Sequence, residues 1–285
     1  MSAAHSGLMT TFSTLRVSVI GAGLGGLCAA LALRRAGHNV TLYERHDFAG
    51  EVGASLSVAS NGSRWLLNWG LDMDAVKPVL LRKLVMHDWS TGRVIDEYGL
   101  GDYKEKFGTD YYNFHRIDMH SVLLETVQSA EGPGTPCRLV IDRRAVDVDE
   151  DAGTVTFDDG STVTADLVIA ADGIRSATRE AIGVSPVFRR SDSCCYRCII
   201  SAATLHDLGL DELILGQGIE FWGGFSEYKI VLSACHDNET VSCYCFYLAA
   251  RNGLDKEGWN ISGSAEELCE LFADLDPRLL TLLLL

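Results

Sequence analysis

A glycine-rich turn between two short apolar segments near the start of the sequence constrains the fold more than any other feature. Arg16–Ile20 is rich in β-branched residues and predicts a buried strand. The turn Gly21–Gly26 follows, and then Leu27–Ala36, whose alanines and leucines favour a helix that Gly37 would end. Asn39–Tyr43 predicts a second strand. Strand, turn, helix and parallel strand within about thirty residues predict a right-handed βαβ unit.

Each glycine of this turn has a mechanical role in binding a dinucleotide. Gly21 permits the tight turn, Gly23 lets the backbone approach a pyrophosphate, and Gly26 lets helix and strand pack closely. Glu44 ends the second strand, where a carboxylate accepts hydrogen bonds from both hydroxyls of an adenosine ribose. We include Arg45, the next residue, in this predicted cofactor site. The site favours FAD or NAD over NADP, because the carboxylate would repel a 2′-phosphate.

The elements that follow are first mixed and then predominantly β. Asp118–Ala130 predicts a helix with Asp118 as its N-cap. Leu167–Ala171 is an uninterrupted apolar run, which predicts a strand buried on both faces. Beyond about residue 185, alternating segments predict successive antiparallel strands: Tyr196–Ser201, Glu220–Phe225, Lys229–Ala234 and Val241–Tyr247.

These patterns predict an α/β protein with two domains. Residues 15–185 would form a Rossmann-like nucleotide-binding domain with β insertions around residues 80–100. Residues 186–285 would form a β-rich substrate domain.

Composition narrows the partners and the compartment. A net charge of −15 disfavours nucleic acid and anionic membranes, which would repel the chain. No apolar stretch approaches the ~20 residues that span a bilayer, and the start lacks the features of a signal peptide, which favours the cytoplasm. The spacing of five cysteines does not match a zinc site, so we expect packed thiols and no metal: Cys194, Cys195, Cys198, Cys243 and Cys245. We expect a monomer or homodimer.

Three later segments of the sequence add motifs that the glycine turn alone does not provide. They are Glu51–Ala54 followed by Asn61-Gly62, Phe114–Asp118, and Ala171–Ser176 with Arg179. In this order, and together with the glycine turn, they resemble the flavoprotein aromatic hydroxylases, the group of salicylate hydroxylase and p-hydroxybenzoate hydroxylase. The resemblance implies the p-hydroxybenzoate hydroxylase-like fold, in which an FAD-binding domain carries a β-rich substrate domain.

The resemblance also implies a set of cofactor contacts. Gly53 and Ala54 would lie along the flavin, and Arg116 would reach its phosphate–ribityl region, where a planar guanidinium can pair with pyrophosphate. Asp172 and Gly173 would touch the flavin and influence docking of the nicotinamide cofactor. On residues alone, a solvent-facing ion pair for Arg116 and a plain Asp-Gly turn remain open.

For the reaction, the resemblance implies that NAD(P)H reduces FAD and that O2 then hydroxylates an aromatic or phenolic small molecule. Arg197 and Tyr228 are the catalytic candidates beside the substrate, and His115 is a candidate for deprotonating a phenol. Sheet residues with solvated polar tips are the alternative reading of Arg197 and Tyr228. Four aromatic residues are candidates to line the pocket, although strand aromatics are also common core residues: Phe221, Trp222, Phe225 and Tyr244.

One family feature has no counterpart in the sequence. The family's third flavin motif, Gly-Asp-Ala-Ala-His, is absent, and the sequence ends at Leu285. We therefore expect a C-terminally truncated family member that binds FAD weakly. An NAD-linked dehydrogenase, a flavin reductase and a catalytically inactive flavoprotein-like chain remain alternatives.

Overall fold

A computed structural model describes residues 13–47, 53–211, 213, 216–223, 226–251 and 261–284. The chain divides by contacts into two compact units, the first formed by residues 1–49 and 123–186 and the second by residues 50–122 and 187–285. The division differs from the sequence-based domains at residues 50–122, which cluster with the β-rich part.

The strands and helices of the described residues have the following bounds. The strands are β1 (Arg16–Ile20), β2 (Asn39–Tyr43), β3 (Ser55–Val58), β4 (Val79–Leu81), β5 (Lys83–His87), β6 (Val94–Gly99), β7 (Tyr111–His115), β8 (Arg138–Val140), β9 (Ala145–Asp149), β10 (Thr154–Phe157), β11 (Thr162–Thr164), β12 (Leu167–Ala170), β13 (Ser193–Ser201), β14 (Gly218–Trp222), β15 (Lys229–Cys235) and β16 (Thr240–Leu248). The helices are α1 (Leu24–Arg35), α2 (Ser60–Asn68), α3 (Met73–Val76), α4 (Tyr103–Phe107), α5 (Arg116–Gln128), α6 (Ala202–Asp207), α7 (Ala265–Leu271) and α8 (Pro277–Leu283).

The first unit is built on a parallel sheet with the strand order β12-β1-β2-β8. β1 pairs on both sides, so that Val17 lies opposite Leu167 on one neighbour and Val40 on the other. The side chains of β1 from Val17 to Ile20 are buried, as the sequence predicted for this strand. Gly37 adopts φ +89° just after α1, which confirms its predicted role in ending the helix.

Strand β12 corrects one expectation. The apolar run predicted a strand buried on both faces, but β12 is the outermost described strand of its sheet, and Leu167 is 36% exposed. An apolar run indicates burial only where a neighbour covers it. Among the described residues, β12 pairs with β1 alone.

Helix α1 is tied to the C-terminal end of α5 by one buried cation. Arg34 is 1% exposed, and its guanidinium donates hydrogen bonds to the carbonyl oxygens of Thr126 (2.7 Å), Val127 (3.1 Å) and Glu131 (2.8 Å). The last carbonyls of a helix lack intrahelical partners, and a buried guanidinium both satisfies them and favours the negative end of the helix dipole.

The second unit is built on a six-stranded sheet with the order β13-β16-β15-β14-β5-β6. β14 and β5 run parallel, and the other neighbours run antiparallel, as predicted for the strands after residue 185. A three-stranded sheet, β3-β7-β4, belongs to the same unit. The main core cluster includes Trp222, Leu232, Phe272 and Leu282, and so joins one face of the large sheet to α7 and α8.

The start of α5 corrects a second expectation. The helix begins at Arg116, so that Asp118 lies within its first turn rather than at the N-cap. Its carboxylate instead faces two histidines of the second unit, His115 and His236. Among the described residues, no helix is both long and apolar enough to cross a membrane.

Candidate functional site

Two glycines of the turn after β1 are required by the backbone itself. Gly21 has φ +99°, and its N–H donates to the carbonyl oxygen of Tyr43 at 2.8 Å. A Cβ at Gly21 would overlap the carbonyl of Ala171, and a Cβ at Gly26 would overlap the carbonyl of Gly21. The turn, the start of α1 and the end of β12 therefore approach one another closely only because both positions lack a side chain.

Gly23 has no such reason to be glycine. It caps the N-terminus of α1 with φ −69°, a value that any residue adopts, and no described atom lies within 4 Å of where its Cβ would stand. The first turn of α1 also carries no acidic side chain. The helix start thus presents N–H groups and open space, which together suit an anion such as pyrophosphate.

Glu44 is held in place by two backbone groups. Its Oε2 accepts a hydrogen bond from the N–H of Ala22 at 2.8 Å, and its Oε1 accepts one from the N–H of His46 at 3.1 Å. Each carboxylate oxygen can accept a further bond, so the side chain is oriented without being saturated. Arg45 is exposed beside it.

Asp172 organises the loop that follows β12. Its carboxylate accepts hydrogen bonds from the N–H of Ala177 (2.9 Å) and from the N–H (3.3 Å) and Oγ1 (2.8 Å) of Thr178. Burial opposes ionisation, but hydrogen bonds from Ser176 and Thr178 prevail and hold the pKa of Asp172 below its usual range. Gly173 takes φ +83°. The carboxylate therefore has a structural role, and the contact of both residues with flavin stays a prediction.

The second unit brings the remaining cofactor candidates together. The N–H of Arg116 donates to the carbonyl oxygen of Ala54 at 2.8 Å, which places the start of α5 beside the segment before β3. A Cβ at Gly53 would overlap Nε2 of His115, so a larger residue here would displace the imidazole of His115. Glu51 and Val52 lie outside the described residues.

A cavity of about 230 Å³ lies between Gly53 and Ala54 on one side and strands β13 and β16 on the other. It is lined by Gly53, Ala54, Arg197, Cys198, Ile199, Ser242 and Tyr244. Arg197 and Tyr244 face each other directly across β13 and β16. The hydroxyl of Tyr244 donates to the carbonyl oxygen of Ser55 at 2.9 Å. The cavity thus combines one cation and one phenol with apolar walls, which suits a small ring that bears an anionic group.

Tyr228 is not brought to this cavity. It packs against the main core cluster, with its ring edge-on to Phe272 at 6.1 Å between centroids. Trp222 is fully buried in that cluster and stacks on His87, while Phe225 lies outside the described residues. Sequence reasoning named Tyr244 only as a general lining candidate, because the pairing register that sets it opposite Arg197 has no local signal.

A larger cavity of about 710 Å³ also includes Arg197 in its lining. Its other walls combine residues of β13, such as Cys195 and Ile200, with the segment before α7 and with Leu268, Leu282 and Leu283 of α7 and α8. It lacks Gly53 and Ala54, so the smaller cavity is the better substrate candidate. Two of the five cysteines that were compared with a zinc site, Cys243 and Cys245, are buried in the main core cluster, and their Sγ atoms lie 3.5 Å apart.

Comparison with known proteins identifies the family of the chain. The chain matches the FAD binding domain family over residues 14–271. It is 32% identical to hispidin-3-hydroxylase of Neonothopanus nambi over 95% of this chain and 67% of that protein. It is also 32% identical to 3-hydroxybenzoate 6-hydroxylase of Polaromonas naphthalenivorans, over 93% of this chain and 64% of that protein.

Solved structures support the fold. The tetrameric form of 2-methyl-3-hydroxypyridine-5-carboxylic acid oxygenase matches 96% of this chain and 68% of its own, with a TM-score of 0.73 and 23% identity. HpxO of Klebsiella pneumoniae, complexed with FAD and uric acid, matches 94% of this chain and 64% of its own, with a TM-score of 0.72 and 23% identity. The chain therefore spans about two thirds of the length of these four proteins.

Proposed function

This chain belongs to the family of FAD-dependent aromatic monooxygenases, and from that premise we propose that it binds FAD and hydroxylates an aromatic or phenolic small molecule with NAD(P)H and O2. The balanced reaction converts a ring C–H to C–OH. One oxygen atom enters the product, and the other leaves as water while NAD(P)H is oxidised.

The surroundings of Gly23 carry the cofactor part of the proposal. Gly21 and Gly26 would be glycine in any chain with this turn, but Gly23 has an ordinary backbone and open space above it. A site that keeps its helix start free of side chains, beside a fixed carboxylate at Glu44, fits a pyrophosphate and an adenosine ribose. The residues present therefore fit the adenosine half of FAD.

Further cofactor contacts in the proposal come from the family resemblance. Gly53 and Ala54 supply a backbone without bulky side chains, and Arg116 supplies a planar cation for phosphate. Asp172 would act by fixing its loop, so that Gly173 and the following N–H groups hold one position. Arg45 completes the set as an exposed neighbour of Glu44.

For the substrate, we assign orientation to Arg197 and Tyr244. The guanidinium would pair with a phenolate or carboxylate on the ring. The ring of Tyr244, held by the hydrogen bond from its hydroxyl to the carbonyl oxygen of Ser55, would set the angle at which the substrate approaches. Bound FAD supplies hydride uptake from NAD(P)H and activation of O2, so that no nucleophilic side chain is needed for oxygen transfer. The apolar walls formed by Ala54 and Ile199 would exclude water.

The proposal also includes a cytoplasmic location and a monomer or homodimer. NAD(P)H is available in the cytoplasm, and reduced thiols persist there. The nine cysteines all lie in the described residues and form no disulfide bond there, which supports a reducing compartment.

The test begins with the visible spectrum of purified protein that has been loaded with FAD and passed over a desalting column. A retained flavin band, shifted from that of free FAD, would support the cofactor part of the proposal. Loaded protein is then mixed with NADH or NADPH and a panel of phenols and hydroxybenzoates, while O2 is recorded. Ring-dependent O2 consumption with a hydroxylated product is the expected result. NAD(P)H oxidation without O2 uptake would indicate a reductase, and folded colourless protein would indicate a chain that does not bind FAD.

A further inference from the structure

Three side chains from three separate elements converge in the second unit. His115 ends β7, Asp118 lies in the first turn of α5, and His236 lies in the turn between β15 and β16. One potential ligand atom from each lies within 4.8 Å of the other two. We propose that these three residues form a binding site for a divalent transition-metal ion of the Zn²⁺ type, a site that the proposed reaction does not require.

Each ring nitrogen of His236 faces a carboxylate, but a neutral imidazole carries a proton on only one of the two nitrogens. Nε2 lies 3.1 Å from Oε2 of Glu239, and Nδ1 lies 2.5 Å from Oδ2 of Asp118. A neutral imidazole has a single N–H, and a carboxylate only accepts. When that N–H serves Glu239, Nδ1 and Oδ2 present lone pairs to each other. A metal ion bound by Nδ1 and Oδ2 would remove this repulsion.

His115 adds a second nitrogen to the same space. Its Nδ1 lies 3.1 Å from Oδ1 of Asp118 and is shielded from water, yet it has no hydrogen bond to any described group. The other ring nitrogen, Nε2, is packed against Gly53. Both imidazoles thus direct Nδ1 toward the carboxylate of Asp118. A shielded nitrogen without a partner is costly unless something else occupies the site.

The donor set defines the class of ion. Two imidazole nitrogens and one carboxylate oxygen suit Zn²⁺, Co²⁺, Ni²⁺ or Fe²⁺, whereas Mg²⁺ and Ca²⁺ prefer oxygen ligands throughout. Glu239 would be the outer carboxylate that accepts from the far nitrogen of a metal-bound histidine and so orients its ring. Lys77 lies 3.4 Å from the other oxygen of Glu239 and balances one of the two negative charges.

The spacing needs only a small adjustment on binding. Ligand atoms at 2.0–2.1 Å from one tetrahedral ion lie about 3.3 Å apart. Asp118 and His236 would separate by less than about 1 Å from their present 2.5 Å, and His115 is already at a suitable distance. A water molecule would complete the four-coordinate shell.

The experiment uses the full chain without an affinity tag, stripped with a chelator, and titrated with Zn²⁺ against a chromophoric competitor. We expect one tight site per chain. His115→Ala, Asp118→Ala and His236→Ala should each weaken that site by at least about tenfold, and Glu239→Gln by about tenfold. His206→Ala is the matched control, because His206 forms an exposed pair with Asp211 at 2.8 Å and should not contribute to the site.

Co²⁺ provides a second measurement on the unaltered protein. Its visible absorption bands should show the intensity of a four-coordinate site, even if one of the variants fails to fold. Circular dichroism of each metal-free variant establishes that the fold is retained. Wild-type binding no tighter than that of His236→Ala, or a weak six-coordinate Co²⁺ spectrum, would overturn the proposal. The cluster would then be a protonated imidazole held between Asp118 and Glu239.

Discussion

The glycines at the start of α1 differ in what surrounds them, and substitutions should separate their roles. Gly26→Ala places a methyl group against the carbonyl of Gly21, so we expect a loss of about 1–3 kcal/mol in unfolding free energy. Gly25→Ala is the matched control. Gly25 is exposed in the same helix with open space around it, and alanine there should stabilise by about 0.5–1 kcal/mol. Urea denaturation measures both. Equal stability of the two variants would contradict the packing argument.

Gly23→Ala should behave in the opposite way. The folded backbone accepts alanine at Gly23 without a clash, so the FAD-free protein should lose no more than about 1 kcal/mol, the cost of alanine at an N-cap. Its affinity for FAD should fall at least about tenfold, which corresponds to 1.4 kcal/mol, because the methyl group enters the space assigned to pyrophosphate. Fluorescence titration with FAD measures this. Unchanged affinity would show that the cofactor does not approach Gly23.

The assignment of the substrate tyrosine can be tested with two matched variants. Tyr244→Phe removes the hydroxyl beside Arg197, and we expect a higher KM for an anionic ring with a smaller change in kcat. Arg197→Met should raise KM more, about 10- to 100-fold, since a charge-assisted hydrogen bond is lost. Tyr228→Phe should leave steady-state kinetics unchanged because its ring packs in the core. A kinetic defect in Tyr228→Phe alone would restore the sequence-based assignment.

The sequence could predict residues whose partners lie within the same segment. Gly21, Gly26 and Glu44 belong to one turn and its adjacent strand, so their spacing already indicates their roles. Tyr244 and His236 depend on how distant segments pair, and a shift of one residue in a strand moves a side chain to the other face. The cluster around Asp118 was missed for that reason, since the helix pattern suggested only an N-cap.

At the scale of elements, strand bounds followed directly from the sequence where the period was clear. β1 and β2 have the predicted residues. Two short strands, β3 and β4, had no such signal, because their pairing with β7 rather than their composition defines them. The edge position of β12 was also missed. Hydrophobic patterns report the average environment of a segment, whereas neighbours in a sheet are set by the whole fold.

Helix α5 depends on a cation from α1, which gives a prediction at this scale. Arg34→Met keeps most of the side-chain volume but removes the guanidinium hydrogen bonds to the carbonyls of Thr126 and Glu131, whereas the carbonyl of Val127 keeps its bond from the N–H of Cys137. We expect the free energy of unfolding to fall by about 1–3 kcal/mol. Arg16→Met is the control, because Arg16 forms a solvent-exposed pair with Asp166 and should cost less. Similar losses in both variants would contradict the proposed role of Arg34.

At the scale of the whole molecule, the distribution of tryptophan separates the two units. The four tryptophans that the structure describes all lie in the second unit: Trp65, Trp69, Trp89 and Trp222. The fifth, Trp259, lies outside the described residues. Tryptophan fluorescence during urea unfolding therefore reports the second unit, whereas far-UV circular dichroism reports both. This difference can test whether residues of the second unit contact the cofactor.

FAD should raise the unfolding midpoint detected by tryptophan, because Gly53, Ala54 and Arg116 lie in the second unit and are predicted to contact the flavin and its phosphates. At 100 times its Kd, a ligand specific to the folded state stabilises by about 2.7 kcal/mol. ADP at the same multiple of its Kd is the control, since it would occupy only the adenosine site formed by Gly23 and Glu44. ADP should raise the unfolding midpoint detected by circular dichroism more than the midpoint detected by tryptophan fluorescence. If FAD and ADP shift the tryptophan midpoint equally, the tryptophan signal follows the unfolding of the first unit. If FAD leaves the tryptophan midpoint unchanged, Gly53, Ala54 and Arg116 do not belong to the cofactor site.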